Sequence, residues 1–362
     1  MGKFLKIHWL LFCILIFIIS RAIMIYQYDL ASSILIHGHH SFDELMCKWD
    51  CKWYLTIISN GYDAHLRLTP KIWKGLANWA FFPLYPYIVK LAVLITTIKA
   101  TIIGIILNQI FVLFSLMLFY KYLRMYVDEL NGRFGVIILA LSPFSIYFAS
   151  IYTEALFLLL SLSAFYFMET KRPFLAAICG GLLSATRPLG CMFVVPFFYN
   201  QIKNSGINKK VIPYCILALS GLICYMIFLY FKTGDFLAFH TVQKGWGRHG
   251  FDSHHLSAQL FKMVTDYHNS ILFLISFVLT IYLVLNGYIE EAMFNLLTTL
   301  PGILTGTMMS EGRFSGTLFT FYFGIVILCR KSVTLKLSFA VLFFLFYVSY
   351  FLYWMAHASF LI

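Results

Sequence analysis

Long apolar runs broken by short basic turns fill most of the chain, and their lengths suit the hydrocarbon core of a bilayer, about 20 helical residues for about 30 Å. The first runs from about Trp9 to Tyr28. A polar and aromatic stretch follows from Asp29 to about Trp79, and then Phe81-Phe82-Pro83-Leu84-Tyr85-Pro86 leads into an apolar run ending near Ile98. Later runs cover about Thr101–Tyr120, Phe134–Ser150, a fourth from Glu154 to Lys171/Arg172, Phe174–Phe198, Val211–Phe231, and roughly 270–287, 291–308, 314–329 and 337–358.

The run after Pro86 decides the topology. If it crossed, Lys121, Arg124, Arg133, Lys171 and Arg172 would fall outside, against the positive-inside tendency. Lys90 and Arg187 would then sit mid-membrane, at about 2.5–3.5 kcal/mol each on insertion scales. If it lies along the outer surface as an amphipathic helix, those basic residues return to the cytoplasmic side with Lys3, Lys6, Lys203, Lys209, Lys210, Arg330, Lys331 and Lys336. Phe174–Phe198 then splits into two short helices meeting outside at Thr186-Arg187-Pro188-Leu189-Gly190. This arrangement predicts an all-α polytopic membrane protein in one domain, residues 1–362, with about eleven transmembrane helices. The N-terminus is inside, the C-terminus outside. Residues 29–100 form a long extracytoplasmic first loop carrying the surface helix, and 232–269 a second large one. Asp50, Glu154, Arg187, the His240–His255 loop and Arg313 all open on that outer face.

Composition agrees. The 362 residues are 61% hydrophobic, 19% aromatic and 12% charged, with a mean hydropathy of +0.82, more apolar surface than a soluble fold buries. The net charge of +12 sits mostly in turns that set orientation, so it does not call for nucleic acid. Most of the eight cysteines lie in apolar runs and behave as small hydrophobes. Cys47 and Cys51 lie in a polar loop, and their spacing leaves a disulfide open. The N-terminal basic residues and apolar run resemble a signal anchor without a small-residue cleavage site, so the run is read as a span.

The most suggestive stretch is Lys48-Trp49-Asp50-Cys51-Lys52-Trp53-Tyr54. In a helical turn Trp49, Asp50 and Trp53 share a face, and Trp and Tyr favour the membrane–water boundary, which places an acid at the lip of a bilayer. The plain alternative is an interfacial helix with aromatic anchors. Glu154 follows Tyr152-Thr153 at the outer end of two apolar helices; Thr153 or Ser150 can cap the second, with an acid in its first turn favoured by the helix dipole. Arg187 before Pro188 suits a phosphate oxygen pair or a structural partner for Glu154. Arg313 allows the same reading, or plain snorkelling. His240, Gln243 and Trp246 offer a ring nitrogen, an amide and an indole to a sugar or phosphate, or belong to a surface loop. His37, His39 and His40 with Asp43 and Glu44, and His254/His255, match no strong zinc spacing, so no metal site is expected. No GxxxxGK[ST] phosphate loop is present, which disfavours a nucleotide-sugar donor against one delivered within the membrane.

These residues resemble a known family. Trp49-Asp50 with Trp53-Tyr54, Asn60-Gly61-Tyr62 and Phe81-Phe82-Pro83-Leu84-Tyr85-Pro86 look like the N-terminal signature of the PIG-V group, GPI mannosyltransferase 2 and its prokaryotic relatives. Leu141-Ser142-Pro143 through Tyr152-Thr153-Glu154-Ala155-Leu156-Phe157, Thr186-Arg187-Pro188-Leu189-Gly190 and Gln243-x-x-Trp246 are similar to its later ones. The match covers most of residues 45–250; the C-terminal third, with Arg313, matches loosely. The resemblance implies a GT-C glycosyltransferase fold with its site on the outer or lumenal face of a bacterial inner membrane or the endoplasmic reticulum. It implies a polyprenyl- or dolichyl-phosphate mannose donor and a lipid-linked or envelope glycan acceptor.

The expected chemistry is inverting transfer, with Asp50 as general base, Arg187 steadying the leaving phosphate, and Glu154 orienting Arg187 or holding an acceptor hydroxyl. Trp49, Trp53, Tyr54, Tyr152, His240, Gln243, Trp246 and Arg313 are the expected substrate contacts. No cofactor or divalent ion is expected beyond the lipid-phosphate-sugar co-substrate. A transporter or flippase of lipid-linked sugars is the competing class, although transporters often carry repeated halves and none is evident here.

Overall fold

A computed structural model describes residues 8–34, 41–67, 75–206, 209–248, 266–305 and 308–356, which are helical with no strand among them. Seventeen helices are described: α1 (Trp9–Ile34), α2 (Phe42–Met46), α3 (Cys51–Asn60), α4 (Leu84–Thr96), α5 (Ala100–Leu123), α6 (Glu129–Ala140), α7 (Ser145–Ala149), α8 (Glu154–Glu169) and α9 (Pro173–Ser184) in the first half. Then come α10 (Val194–Ser205), α11 (Val211–Thr233), α12 (Ala238–Thr241), α13 (Tyr267–Leu285), α14 (Ile289–Leu304), α15 (Glu311–Gly316), α16 (Phe319–Cys329) and α17 (Val333–Met355). Five of these, α1, α5, α11, α13 and α17, are long and apolar enough to cross a membrane.

Several expected spans are interrupted, for local reasons. The expected Phe134–Ser150 helix stops at Ala140 and resumes only as the single turn α7. Pro143 lacks an N–H and restricts its predecessor, while the Ser142 hydroxyl caps the Phe144 N–H at 3.0 Å. The expected 314–329 helix likewise divides into α15 and α16. The stretch around Arg187 divides as expected: α9 ends at Ser184, a 3-10 turn runs Pro188–Phe193, and α10 follows. Arg187 is extended (φ −155°, ψ 151°), as a residue before proline prefers.

Helix α4 has 13 residues, about 20 Å at 1.5 Å per residue, too short for a hydrocarbon core of about 30 Å. It buries Tyr85 and Val89 and exposes Leu91, Leu94 and Ile95, the one-sided pattern of an interfacial helix. Thr97 adopts φ +58° to end it, and α5 begins three residues later.

The helices around the site pack in sequence, α5 on α8, α8 on α9 and α9 on α11. Gly181 and Gly221 let α9 and α11 approach closely: a Cβ on Gly221 would lie 2.2 Å from the Gly181 carbonyl oxygen. Such small-residue crossings replace hydrophobic drive inside lipid.

Buried Asn108 on α5 fastens the turn between α7 and α8. Its amide donates to the carbonyls of Ser150 and, at 3.1 Å, Tyr152, and so positions Glu154 at the start of α8. An unanswered buried acceptor costs about 1–3 kcal/mol. Asn108→Leu is therefore expected to lower the melting temperature of the detergent-purified protein by several degrees; an unchanged melting curve would show that the turn holds itself.

Candidate active site

The loop before α3 is pinned from several sides. Cys47 and Cys51 are joined in a disulfide with Cα atoms 5.1 Å apart, the pairing that spacing had left open. The Lys48 ammonium donates to the last carbonyls of α17, those of Trp354 and Met355, as a cation at a helix C-terminus should. Burial lowers the Lys48 amine to about 8. The Lys48 carbonyl accepts the Tyr152 hydroxyl at 3.0 Å, and Trp49 meets Trp354 edge-on with ring centres 4.8 Å apart.

Trp49, Asp50 and Trp53 do not share a helical face. Trp49 lies ahead of α3 with φ +42° and turns towards α17. Asp50 is the N-cap residue of α3 but makes no capping bond with its side chain. Its carboxylate points instead to Arg313, whose Nη1 donates to Oδ2 at 2.8 Å.

From Arg313 the charges continue inward. Its Nε lies 3.2 Å from Glu154 Oε1, and Arg187 Nη1 lies 3.1 Å from the same oxygen. Thr153 is the N-cap of α8 and Glu154 its first residue, so the capping position and the ion pairs coexist. Burial disfavours the Arg313 charge, but the Asp50 and Glu154 carboxylates outweigh it and hold its pKa above the usual arginine range. Aromatic faces complete the packing: the Arg313 guanidinium carbon is 5.2 Å from the Tyr152 ring centre, and that of Arg187 is 5.7 Å from Phe157.

The two acids differ in access. The Asp50 side chain is 25% exposed and that of Glu154 2%. Asp50 faces a cavity of about 1240 Å³. Trp49, Trp53, Tyr54, Arg187, His240, Gln243, Trp246 and Arg313 all line it. Glu154 and Tyr152 do not: both lie behind the wall, Tyr152 holding Lys48 and lying against Arg313. On one side of the cavity Trp53 stacks on Phe81 (5.6 Å, 15°) and meets Trp246 edge-on at 5.6 Å. The Arg67 guanidinium lies 4.7 Å from the Trp53 ring centre and is held by Asp63 at 2.8 Å.

Three wall residues escaped the sequence reading. Lys48 and Arg248 were passed over as ordinary basic residues, and Phe314 as an ordinary apolar one. Only the folded chain reveals that Arg187, Arg248 and Arg313 surround Phe314, at 4.8, 5.1 and 5.2 Å from its ring centre. His37, His39, His40, His254 and His255 lie outside the described residues. Among the described residues no group of three His, Cys, Asp or Glu side chains is gathered closely enough to hold a metal ion.

An acid open to a cavity, arginines beside it and an aromatic shelf suit transfer of a sugar from a phosphate. No curated protein matches the chain. The sequence pattern described as Mannosyltransferase (PIG-V) matches residues 4–248, a span that contains Asp50, Glu154, Arg187 and Arg248 and stops short of Arg313. Because that match covers well over half of its 362 residues, the chain belongs to the PIG-V mannosyltransferase family and is a membrane glycosyltransferase.

Proposed function

We propose that the protein moves a mannosyl unit from a polyprenyl- or dolichyl-phosphate sugar to a lipid-linked or envelope glycan, at the extracytoplasmic face and with inversion. The observation that carries this reading is the line Asp50–Arg313–Glu154–Arg187 at the wall of one cavity. Asp50 takes the proton of the acceptor hydroxyl as its oxygen attacks the anomeric carbon. The bond from that carbon to the phosphate oxygen breaks, and its electron pair leaves with the lipid phosphate. Arg187 and Arg313 sit where the leaving charge grows, and a preorganised cation in a dry site stabilises such charge better than water does. Glu154, closed off from the cavity, keeps both guanidiniums in place.

Two further observations support the reading. The cavity exceeds the roughly 300–1,000 Å³ usual for a single small ligand, which leaves room for two reactants. The Cys47–Cys51 disulfide, whose loop contains the proposed base, suits an oxidising compartment, and the basic turns favour the same orientation through about eleven spans.

In liposomes with radiolabelled polyprenyl-phosphate mannose and lipid acceptors, Asp50→Asn is expected to lose about 10²–10⁴-fold of the transfer rate. Its affinity for the donor should be kept. Full transfer by Asp50→Asn would refute Asp50 as the base, whereas no transfer by wild type would favour a transporter or a scaffold subunit, neither of which needs one. Transfer should also survive excess EDTA within about twofold, since a lipid phosphate leaves readily beside fixed cations; loss of activity restored by Mg²⁺ or Mn²⁺ would refute this. For orientation, an impermeant maleimide should label Lys244→Cys from outside intact cells and leave Lys171→Cys unlabelled, with Cys224→Ser as the background. The reverse pattern would place the site on the cytoplasmic side.

A further inference from the structure

Among the described residues, the cavity wall holds one arginine more than the carboxylates there pair with. Arg313 is engaged by Asp50 and Glu154, and Arg187 by Glu154. Arg248 forms no ion pair among the described residues. Its Nη2 donates to the Met309 carbonyl at 3.1 Å, and its Nε is shut off from solvent without a hydrogen-bond partner. Its guanidinium packs 5.1 Å from the Phe314 ring centre, on the ring that Arg187 and Arg313 also flank. Burial lowers the Arg248 pKa to about 10, so it remains a cation at neutral pH. Two acids act on it from beyond ion-pair distance, Asp50, which is already paired with Arg313, and Glu311. Glu311 is fully buried and bonded to the Ser315 hydroxyl at 2.8 Å, and burial raises its carboxyl to about 8.

A desolvated cation without an anion is costly, and here it faces a cavity. We infer that Arg248 is the residue that first receives the donor's phosphate, with Arg187, which also packs beside Phe314, as its second contact. This rests on the lipid-phosphate donor proposed above and assigns that donor's charged group a place. Arg187 alone is a poorer first contact, because Glu154 already occupies its guanidinium. A guanidinium offers a two-pronged face to a phosphate that an ammonium does not. The tether to Met309 aims that face before the donor arrives. Arg248 would then act mainly on donor affinity, whereas Asp50 acts on the chemical step.

The test uses the full chain in detergent or nanodiscs and reads binding without turnover, through quenching of the cavity tryptophans Trp53 and Trp246. The probes are a short-chain polyprenyl monophosphate and the matching neutral polyprenol. Arg248→Gln is expected to weaken monophosphate binding at least tenfold, about 1.4 kcal/mol, and to leave polyprenol binding within twofold. Arg248→Lys should fall between, and the donor KM should rise with the same ranking while kcat changes less. Monophosphate binding by Arg248→Gln within twofold of wild type would overturn the assignment. So would equal weakening of both probes, which would mark a structural role. If Arg248→Gln does not fold, Arg248→Lys alone decides: monophosphate binding unchanged at folded yield refutes a bidentate contact. Wild type that binds the monophosphate through Arg248 yet transfers no sugar would sink the transferase roles while sparing this site. Wild type that binds neither probe would sink both.

Discussion

Glu154 is a carboxylate buried to 2% exposure at the head of an otherwise apolar helix, and that position constrains everything around it. An unpaired charge there would cost several kcal/mol, and even a paired one is stable only with well-placed partners. The chain supplies two guanidiniums to one oxygen, from an extended pre-proline residue and from a short helix far along the sequence. Three separate segments, the start of α8, the break after α9 and the helix α15, are thereby required to meet at one point. Removal of any member would leave the others as buried charges, at about 3–5 kcal/mol for a broken buried pair.

That requirement also separates the two acids by their access to the cavity. Glu154 has the helix dipole of α8 and two cations on a carboxylate closed off from the cavity. Asp50 has one arginine contact and a side open to the cavity. A substrate hydroxyl can reach Asp50, and none can reach Glu154 without displacing an arginine. Asp50 in turn owes its position to contacts that do not involve its own side chain: the disulfide, the Lys48 bonds to α17, and the Tyr152 hydroxyl beneath Lys48. The C-terminal helix α17, beyond the family match, thus helps to locate a residue within it.

What the sequence made legible follows physical type. Charges in apolar surroundings stand out because they are expensive, and so Asp50, Glu154, Arg187 and Arg313 were visible, as was the break at Arg187-Pro188. The side on which an aromatic residue falls was not visible. Trp49 and Trp53 satisfy a helical spacing, yet the positive φ of Trp49 removes it from the helix, and no local rule forces a tryptophan there. Tyr152 looked like a substrate contact and is instead 1% exposed, because its hydroxyl found a backbone carbonyl. Arg248 sat in a loop already rich in basic residues, and its lack of an ion pair among the described residues is a property of tertiary neighbours. Phe314 has significance only as the ring that three guanidiniums share.

The same reasoning explains why span counting by hydropathy meets broken helices here. A helix facing lipid must satisfy all its backbone groups and present an apolar length near that of the bilayer core. The long helices α1, α11 and α17 do so, and they carry the exposed leucines, isoleucines and phenylalanines. Helices α8 and α16 are buried along almost their whole length, so neighbours rather than lipid shield their ends and they can be short. Interrupted backbone is tolerated at such depth only where protein or a water-filled cavity surrounds it. The interruption between α9 and the Pro188 turn contains Arg187, and those before α8 and α15 lead directly into the first turns that carry Glu154 and Arg313. A broken helix releases backbone groups and bends its side chains inward together, so the breaks that spoil a simple helix count are also what bring the charged residues to the cavity wall.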